Sequence, residues 1–154
     1  MVQKIVERSA LLLKGEKADG YDGRVLIIEA RYYEAVADEL AAGAIAELEA
    51  HGVPYDRVAV PGALEIPQAL NAAVPLFEDT YVGAIVLGCV IRGETSHYDV
   101  VVTNTNHWLM EVAINSMIPV GNAVLTVDTM DQAMARAKGG RTGKGGDAAR
   151  ACLS

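Results

Sequence analysis

The sequence is poor in cysteine and in basic residues, and it lacks long apolar runs. Two cysteines among 154 residues offer no disulfide framework. With 13 Lys and Arg against 20 Asp and Glu, the formal charge of −7 disfavours a phosphate-backbone partner, so we expect no nucleic-acid ligand. No stretch reaches the roughly 18 apolar residues of a membrane span, and the first residues lack a signal-peptide core. We therefore expect a soluble, cytoplasmic protein without membrane contact.

Apolar segments alternate with amphipathic ones along the chain. Apolar runs predict four strands, at residues 25–28, 57–60, 81–90 and 120–127. Apolar residues at helical spacing predict helices over 34–51, 66–77 and 96–117, one after Thr129, and a last one from Asp147. Strands that alternate with helices form a parallel sheet with right-handed crossovers. The predicted fold class is therefore α/β, a three-layer α/β/α sandwich with a four-stranded parallel sheet.

Two capping boxes are predicted at helix starts. Ser96 is followed three residues later by Asp99, which takes the place of the usual Glu, and Thr129 is followed by Gln132. In a capping box the hydroxyl accepts a hydrogen bond from the backbone N–H three residues later. We therefore expect Ser96 and Thr129 to cap their helices through their side chains.

The junction after the third strand is the first candidate site, at residues 91–99 (IRGETSHYD). Open α/β sheets bind ligands outside the carboxyl ends of their strands, and the free N–H groups at a helix start bind anions. His97 lies in the first helical turn, and an imidazole with an ordinary pKa of about 6.5 exchanges protons near neutrality. A polar residue beside a helix cap is the structural alternative, but the position at a strand end favours proton transfer. His107 would face another side of the helix, so we expect no metal site.

A glycine-rich segment near the end of the sequence is the second candidate. Residues 138–146 hold five glycines around Lys144. This segment is not a Walker A loop, because the glycine and the hydroxyl residue that the motif requires are missing. A flexible surface loop with solvated lysines is the alternative. Arg136, Arg141 and Lys144 nevertheless cluster in an acidic protein, and such cations pair with phosphate.

Residues with aromatic and polar groups also follow the first two strands. Tyr32 and Tyr33 are suited to stack on a planar ligand, although packing is the commoner role of a tyrosine. Residues 61–65 offer bare backbone groups and the carboxylate of Glu65 to polar atoms of a substrate. The structural alternative is that Glu65 only stabilises the N-terminus of a helix. Together the residues indicate a small α/β enzyme with a histidine proton shuttle and an anion site, acting on a phosphorylated metabolite.

Three motifs resemble those of one enzyme family. They are residues 60–67 (VPGALEIP), 87–99 (LGCVIRGETSHYD) and 144–149 (KGGDAA), and their order and spacing are similar to 6,7-dimethyl-8-ribityllumazine synthases over about residues 22 to 153. That family condenses 5-amino-6-(D-ribitylamino)uracil with 3,4-dihydroxy-2-butanone 4-phosphate, and it releases phosphate and water in the penultimate step of riboflavin biosynthesis. The resemblance implies a transferase with a flavodoxin-like fold and no metal or organic cofactor.

The resemblance also implies roles for particular residues. His97 would transfer protons during imine formation, phosphate elimination and ring closure. Arg136 would hold the phosphate, and Lys144 would contact the heterocycle or the phosphate. The other residues that it places around the substrates are Tyr32 against the pyrimidine, Ala63, Leu64, Glu65 and Ile66 along the ribityl chain, Val90 and Ile91 beside the ring, Glu94 and Thr95 at the phosphate, and Asn122.

An assembly of several chains is implied as well. The resemblance predicts a homopentamer, or a multiple of pentamers, in which Asn122 and Lys144 of one subunit face Tyr32 and His97 of the next. An N-terminal arm at residues 1–20 would add a strand to a neighbour's sheet, outside the single lumazine synthase-like domain of residues 21–154. Riboflavin synthase is a further candidate partner.

Three positions depart from the commonest family pattern, namely Leu64, Asn122 and Gly143. They leave the proton-transfer and phosphate-binding residues in place, so we expect activity to be retained. The alternatives are a catalytically weak paralogue that binds flavins or lumazines or forms a shell, an enzyme of the archaeal riboflavin synthase type, and a flavodoxin-like electron carrier that holds FMN tightly.

Overall fold

A parallel sheet forms the centre of the computed structural model, which describes residues 23–93 and 95–154. The predicted arm at residues 1–20 and the predicted site residue Glu94 lie outside the described residues. The sheet has four strands in the order β2-β1-β3-β4, and every neighbouring pair is parallel. The strands are β1 Arg24–Ala30, β2 Tyr55–Val60, β3 Tyr81–Ile91 and β4 Val120–Val127.

Five helices in the described residues cover both faces of the sheet. They are α1 Glu34–Ala50, α2 Glu65–Ala73, α3 His97–Asn115, α4 Met130–Ala137 and α5 Lys144–Leu153, with 3-10 turns at Val74–Phe77 and Gly140–Thr142. Helices α1, α4 and α5 pack on one face, and α2 and α3 pack on the other. The predicted three-layer α/β/α sandwich is therefore confirmed. Among the helices that the structure describes, none is long and apolar enough to cross a bilayer.

The two central strands are apolar on both faces because each face has its own helical layer. Val25 and Ile27 of β1 point into the core beneath α1, whereas Leu26 and Ile28 point into the core beneath α2, and all four are at most 2% exposed. Full burial of such a side chain stabilises the fold by about 1.5–3 kcal/mol. This two-sided burial explains the uninterrupted apolar runs in the sequence.

Two helix boundaries differ from the prediction by three residues or more. The helix predicted over 66–77 ends at Ala73, and a 3-10 turn continues it. Pro75 accounts for the change, because proline lacks the N–H that a continuing α-helix needs and its ring clashes with the carbonyl four residues earlier. The last helix begins at Lys144 and not at Asp147. Its first turn contains two glycines, whose low helix propensity is outweighed by packing on neighbouring segments.

The two predicted capping boxes have different outcomes. Thr129 Oγ1 accepts a hydrogen bond from the backbone N–H of Gln132 at 3.2 Å, as predicted. Ser96 occupies the N-cap position of α3, but its side chain makes no capping bond. The prediction for Ser96 was therefore wrong. The side-chain bond at this helix start comes from the preceding residue, since Thr95 Oγ1 accepts the backbone N–H of His97 at 3.3 Å, and the Asp99 carboxylate lies 3.9 Å from Arg92.

Candidate active site

The sheet has a topological switch point between β1 and β3. Helix α1 leaves the end of β1 on one face of the sheet, and α3 follows β3 on the other face. The chain therefore diverges at this edge and leaves a crevice outside the carboxyl ends of the two strands, where open α/β sheets bind their ligands. A cavity of about 360 Å³ lies in this crevice.

Most of the residues predicted for the site line this cavity. They are Tyr32, Ala63, Leu64, Glu65, Val90, Ile91, Thr95 and His97. The structure thus brings together the ends of β1, β2 and β3, although these segments are far apart in the sequence. Sequence reasoning missed two lining residues, Cys89 and Val101. Val101 lies one helical turn after His97 and hence on the same helix face, so its spacing was a usable signal.

His97 is the first residue of α3, and its side chain is exposed at the cavity. Its backbone N–H is held by Thr95 Oγ1 at 3.3 Å. No other described residue forms a hydrogen bond with its imidazole ring, so both ring nitrogens are accessible to a ligand in the cavity.

The loop before His97 is fixed to the neighbouring strand β4. The backbone N–H of Arg92 donates to the carbonyl oxygen of Val127 at 2.9 Å. The side chain of Arg92 reaches across the same edge, and its Nε donates to Asp128 Oδ1 at 3.0 Å. These bonds hold the end of β3, where Ile91 and Gly93 line the cavity, against the end of β4.

Cys89 lines the cavity but is not suited to act as a nucleophile. Burial raises the pKa of its thiol to about 11. The thiol therefore stays protonated at neutral pH, and only the thiolate is strongly nucleophilic. Within the described residues, no three His, Cys, Asp or Glu side chains are grouped as the ligands of a metal ion would be.

Tyr32 and Tyr33 occupy the end of β1 in different environments. Burial raises the pKa of Tyr33, whose ring is partly covered. Tyr32 is 74% exposed and meets Tyr33 edge to face, with ring centroids 4.9 Å apart and an interplanar angle of 77°. This arrangement leaves the exposed ring of Tyr32 able to stack on a planar ligand.

The start of α2 supplies the opposite side of the cavity. The backbone N–H of Glu65 donates to Gly62 O at 3.2 Å, and that of Ile66 donates to Ala63 O at 3.1 Å, which gives this segment a tight turn. Leu64 is partly exposed beside the cavity. Ile66 was expected at the site but does not line this cavity, because its side chain is on the inward face of α2 and is fully buried in the core.

Three predicted site residues lie away from this cavity, and all three are exposed. Asn122 is on β4, where its Oδ1 accepts a hydrogen bond from Val124 N at 2.8 Å. Arg136 lies in the last turn of α4, and its Nη1 donates to Gln132 O at 3.2 Å. Lys144 begins α5, with its Nζ 3.6 Å from an Asp147 oxygen. One chain thus carries two separate groups of predicted site residues.

Comparison with known proteins gives consistent matches over most of the chain. The sequence model of one family, 6,7-dimethyl-8-ribityllumazine synthase, matches residues 22–154. The chain is 50% identical to the 6,7-dimethyl-8-ribityllumazine synthase of Azorhizobium caulinodans over 143 residues, which cover 91% of this chain and 87% of the relative. It is 47% identical to 6,7-dimethyl-8-ribityllumazine synthase 1 of Rhodopseudomonas palustris over 142 residues, or 90% and 87% of the two chains. It is 51% identical to the enzyme of that name from Methylobacterium radiotolerans over 130 residues, or 84% and 78%.

Proposed function

Because the chain belongs to the 6,7-dimethyl-8-ribityllumazine synthase family, we propose that the cavity between β1 and β3 is its active site. The chain is a transferase of riboflavin biosynthesis, which condenses 5-amino-6-(D-ribitylamino)uracil with 3,4-dihydroxy-2-butanone 4-phosphate to 6,7-dimethyl-8-ribityllumazine. The matches favour this enzyme over a catalytically weak paralogue that binds flavins or lumazines. The observation that carries the site assignment is that Tyr32, the start of α2 and His97 line one cavity.

His97 is the proposed proton-transfer residue. The amine of the pyrimidine attacks the ketone, and water leaves as the imine forms. Phosphate is then eliminated, and the ring closes with loss of a second water, so that each of these steps moves a proton. An imidazole accepts and returns protons near neutral pH. The exposed ring of His97 at the cavity supports this role, and so does the backbone bond to Thr95 that fixes its helix start.

The phosphate-binding site is proposed at the start of α3. Backbone N–H groups at a helix N-terminus attract anions through their unpaired donors and the helix dipole. Thr95 lines the cavity at this point, and Glu94, which lies outside the described residues, is proposed to contribute its backbone. Arg136 is proposed to complete the site, since a guanidinium forms bidentate hydrogen bonds with phosphate.

Each active site is proposed to lie between two subunits of a homopentamer or of a multiple of pentamers. The separation of Asn122, Arg136 and Lys144 from the cavity supports this arrangement, because a second chain is needed to bring them to it. Exposed apolar side chains on and after α3 also support it, since large apolar patches usually mark interfaces. These side chains are Val100, Trp108, Met110, Ile114 and Met117.

The cellular location and the further partner are proposals too. Cys89 and Cys152 are both free and buried, which suits a reducing cytoplasm, where disulfides are rare. Riboflavin synthase is the proposed partner, because it uses the lumazine product as its substrate.

The test of the proposed function is a direct assay with both substrates. The purified protein is mixed with the ribitylaminouracil and the butanone phosphate, and lumazine fluorescence and phosphate release are followed together. Lumazine and phosphate are expected to form at equal rates, and these rates are expected to be well above that of the spontaneous reaction. A rate equal to that of the protein-free mixture would contradict the proposal. Light scattering on the same sample measures the number of chains in the assembly.

A further inference from the structure

Glu47, a buried carboxylate on α1, joins three segments of the chain outside the cavity. Its side chain is only 1% exposed. Glu47 Oε2 accepts hydrogen bonds from Arg141 Nε at 2.7 Å and from Arg150 Nη1 at 3.1 Å. Its Oε1 lies 3.0 Å from His51 Nε2. The two arginines are 94 and 103 residues away in the sequence, so this cluster holds a distant segment of the chain against α1.

The two arginines flank Lys144. Arg141 belongs to the 3-10 turn that precedes α5, and Arg150 belongs to α5 itself. Arg150 Nη1 also donates to the carbonyl oxygen of Arg141 at 2.8 Å. Glu47 therefore holds both the turn that precedes Lys144 and the helix that begins at Lys144, through the same carboxylate group.

Close backbone contact reinforces this cluster. A Cβ atom on Gly43 of α1 would lie 2.6 Å from the carbonyl oxygen of Gly140, and one on Gly145 would lie 2.1 Å from that of Leu40. No side chain fits between α1 and the start of α5 at these points. The side chain of Lys144, in contrast, is exposed. The backbone of the segment is thus held on α1 while its lysine is presented outward.

Glu47 is charged under all conditions in which the enzyme is expected to work. The hydrogen bond from Arg141 is the main cause that lowers the pKa of Glu47 to about 2. Removing one partner from such a buried group leaves an uncompensated charge or an unpaired polar atom, which is strongly unfavourable. The contact between Glu47 and the arginines is therefore expected to persist in the folded protein.

We propose that Glu47 is a positioning residue for substrate binding, which sets the place of the Lys144 ammonium by holding Arg141 and Arg150. The inference rests on the proposed function, since it takes Lys144 as the residue that contacts the substrate bound at a neighbouring chain. Glu47 itself touches no substrate. Its loss therefore weakens binding and leaves the proton transfers at His97 unchanged.

The test compares Glu47→Gln with Glu49→Gln, which removes an exposed carboxylate from the same helix. Kinetic constants for each substrate and hydrogen exchange of residues 138–147 are measured on the assembled enzyme. For Glu47→Gln we expect KM to rise about fivefold or more while kcat stays within about twofold, the pattern of lost uniform binding. Exchange in 138–147 is expected to become faster, and Glu49→Gln is expected to match the wild type in both measurements.

Arg141→Ala provides a second variant that keeps the buried carboxylate paired with Arg150. It should raise KM and speed exchange in the same direction, and Arg141→Lys should restore part of the wild-type KM. Faster exchange with an unchanged KM would overturn the positioning role. So would a parallel loss of kcat with faster exchange throughout the chain, which indicates a purely structural role. A wild-type protein without synthase activity would overturn the proposed function, and this inference with it.

Discussion

The guanidinium of Arg92 lies over the ring of Tyr98, with its Cζ 4.3 Å from the ring centroid. Arg92 follows β3 and Tyr98 is the second residue of α3, so this cation–π contact closes the loop that carries His97. On its other side Arg92 bonds to Asp128, which follows β4. The start of α3 is therefore connected to two strands through one arginine.

Replacing Tyr98 tests whether this contact holds the start of α3. Tyr98→Phe keeps the ring and should match the wild type in stability and turnover. Tyr98→Leu loses the cation–π contact, which at an exposed site is worth about 0.5–1 kcal/mol, and turnover should fall several-fold as His97 is held less well. Urea denaturation and the lumazine assay measure the two effects. Identical results for the Phe and Leu variants would contradict the expectation.

Removal of the imidazole at position 97 should lower turnover. We expect His97→Ala to reduce kcat by roughly ten- to a thousandfold, at or below the usual range for general acid and base groups because the substrates are themselves reactive. Lumazine fluorescence under saturating substrate measures the change. Ser96→Ala is the matched control, since the side chain of Ser96 makes no capping bond. If His97→Ala is as fast as this control, His97 does not transfer the protons.

Arg136 should act mainly on the phosphate substrate. Arg136→Ala is expected to raise KM for the butanone phosphate more than KM for the pyrimidine, because the guanidinium is proposed to bind only the former. Separate titrations of the two substrates measure this difference. Lys138→Ala removes an exposed cation two residues later and serves as the control for charge alone. An effect confined to the pyrimidine would contradict the phosphate role.

The different outcomes at the two capping boxes predict different stabilities. Thr129→Ala removes an observed capping bond and should cost about 0.5–2 kcal/mol of unfolding free energy. Ser96→Ala removes no such bond and should lie within about 0.5 kcal/mol of the wild type. Denaturant titrations of the two variants measure this contrast. Equal losses would show that the hydroxyl of Ser96 caps α3 in solution.

Acid should abolish the contribution of Glu47 to stability. The pKa of Glu47 is lowered from 4.5 to about 2, so the folded state favours the charged form. Its contribution is therefore present above about pH 4.5 and is lost as the pH falls through about 2. The difference in unfolding free energy between wild type and Glu47→Gln should shrink over that interval.

Other charged and titratable groups face Glu47, and their own titration has to be separated from that of Glu47. Arg141, Arg150 and His51 contact it directly, and Asp147 pairs with Arg150. Both proteins are therefore compared in a His51→Gln background, which leaves the arginines charged and removes the imidazole. A stability difference that stays constant from pH 5 to pH 2 would contradict the prediction.

The strands were predictable because their signal is local. Burial on both faces selects apolar residues through the middle of β1 and along the whole of β3. The prediction for β3 therefore ends only one residue before the end of the observed strand Tyr81–Ile91. The position of His97 was predictable for a related reason, since the first turn of a helix that follows a parallel strand lies at the ligand-binding edge of the sheet.

What sequence reasoning missed depends on contacts between distant segments. Glu47 reads as one more polar residue of a surface helix, and nothing local connects it with Arg141 or Arg150. The early start of α5 has a similar origin, because Gly145 packs on the backbone of α1 and this contact outweighs its poor helix propensity. At the start of α3 two neighbouring residues carry hydroxyl groups, and the sequence pattern does not say that Thr95 rather than Ser96 accepts a backbone N–H there.

The backbone contact at Gly43 and Gly145 also restricts how this sequence can diversify. A side chain at either position would push α1 away from the segment around the start of α5. Both positions are therefore best kept as glycine in a mutagenesis library. The outward side chains of α3, such as Met110 and Ile114, are exposed on the single chain. We therefore expect their replacement to leave the fold of the chain unchanged. Randomising them is therefore a way to redesign the contacts between copies while the segment that presents Lys144 stays intact.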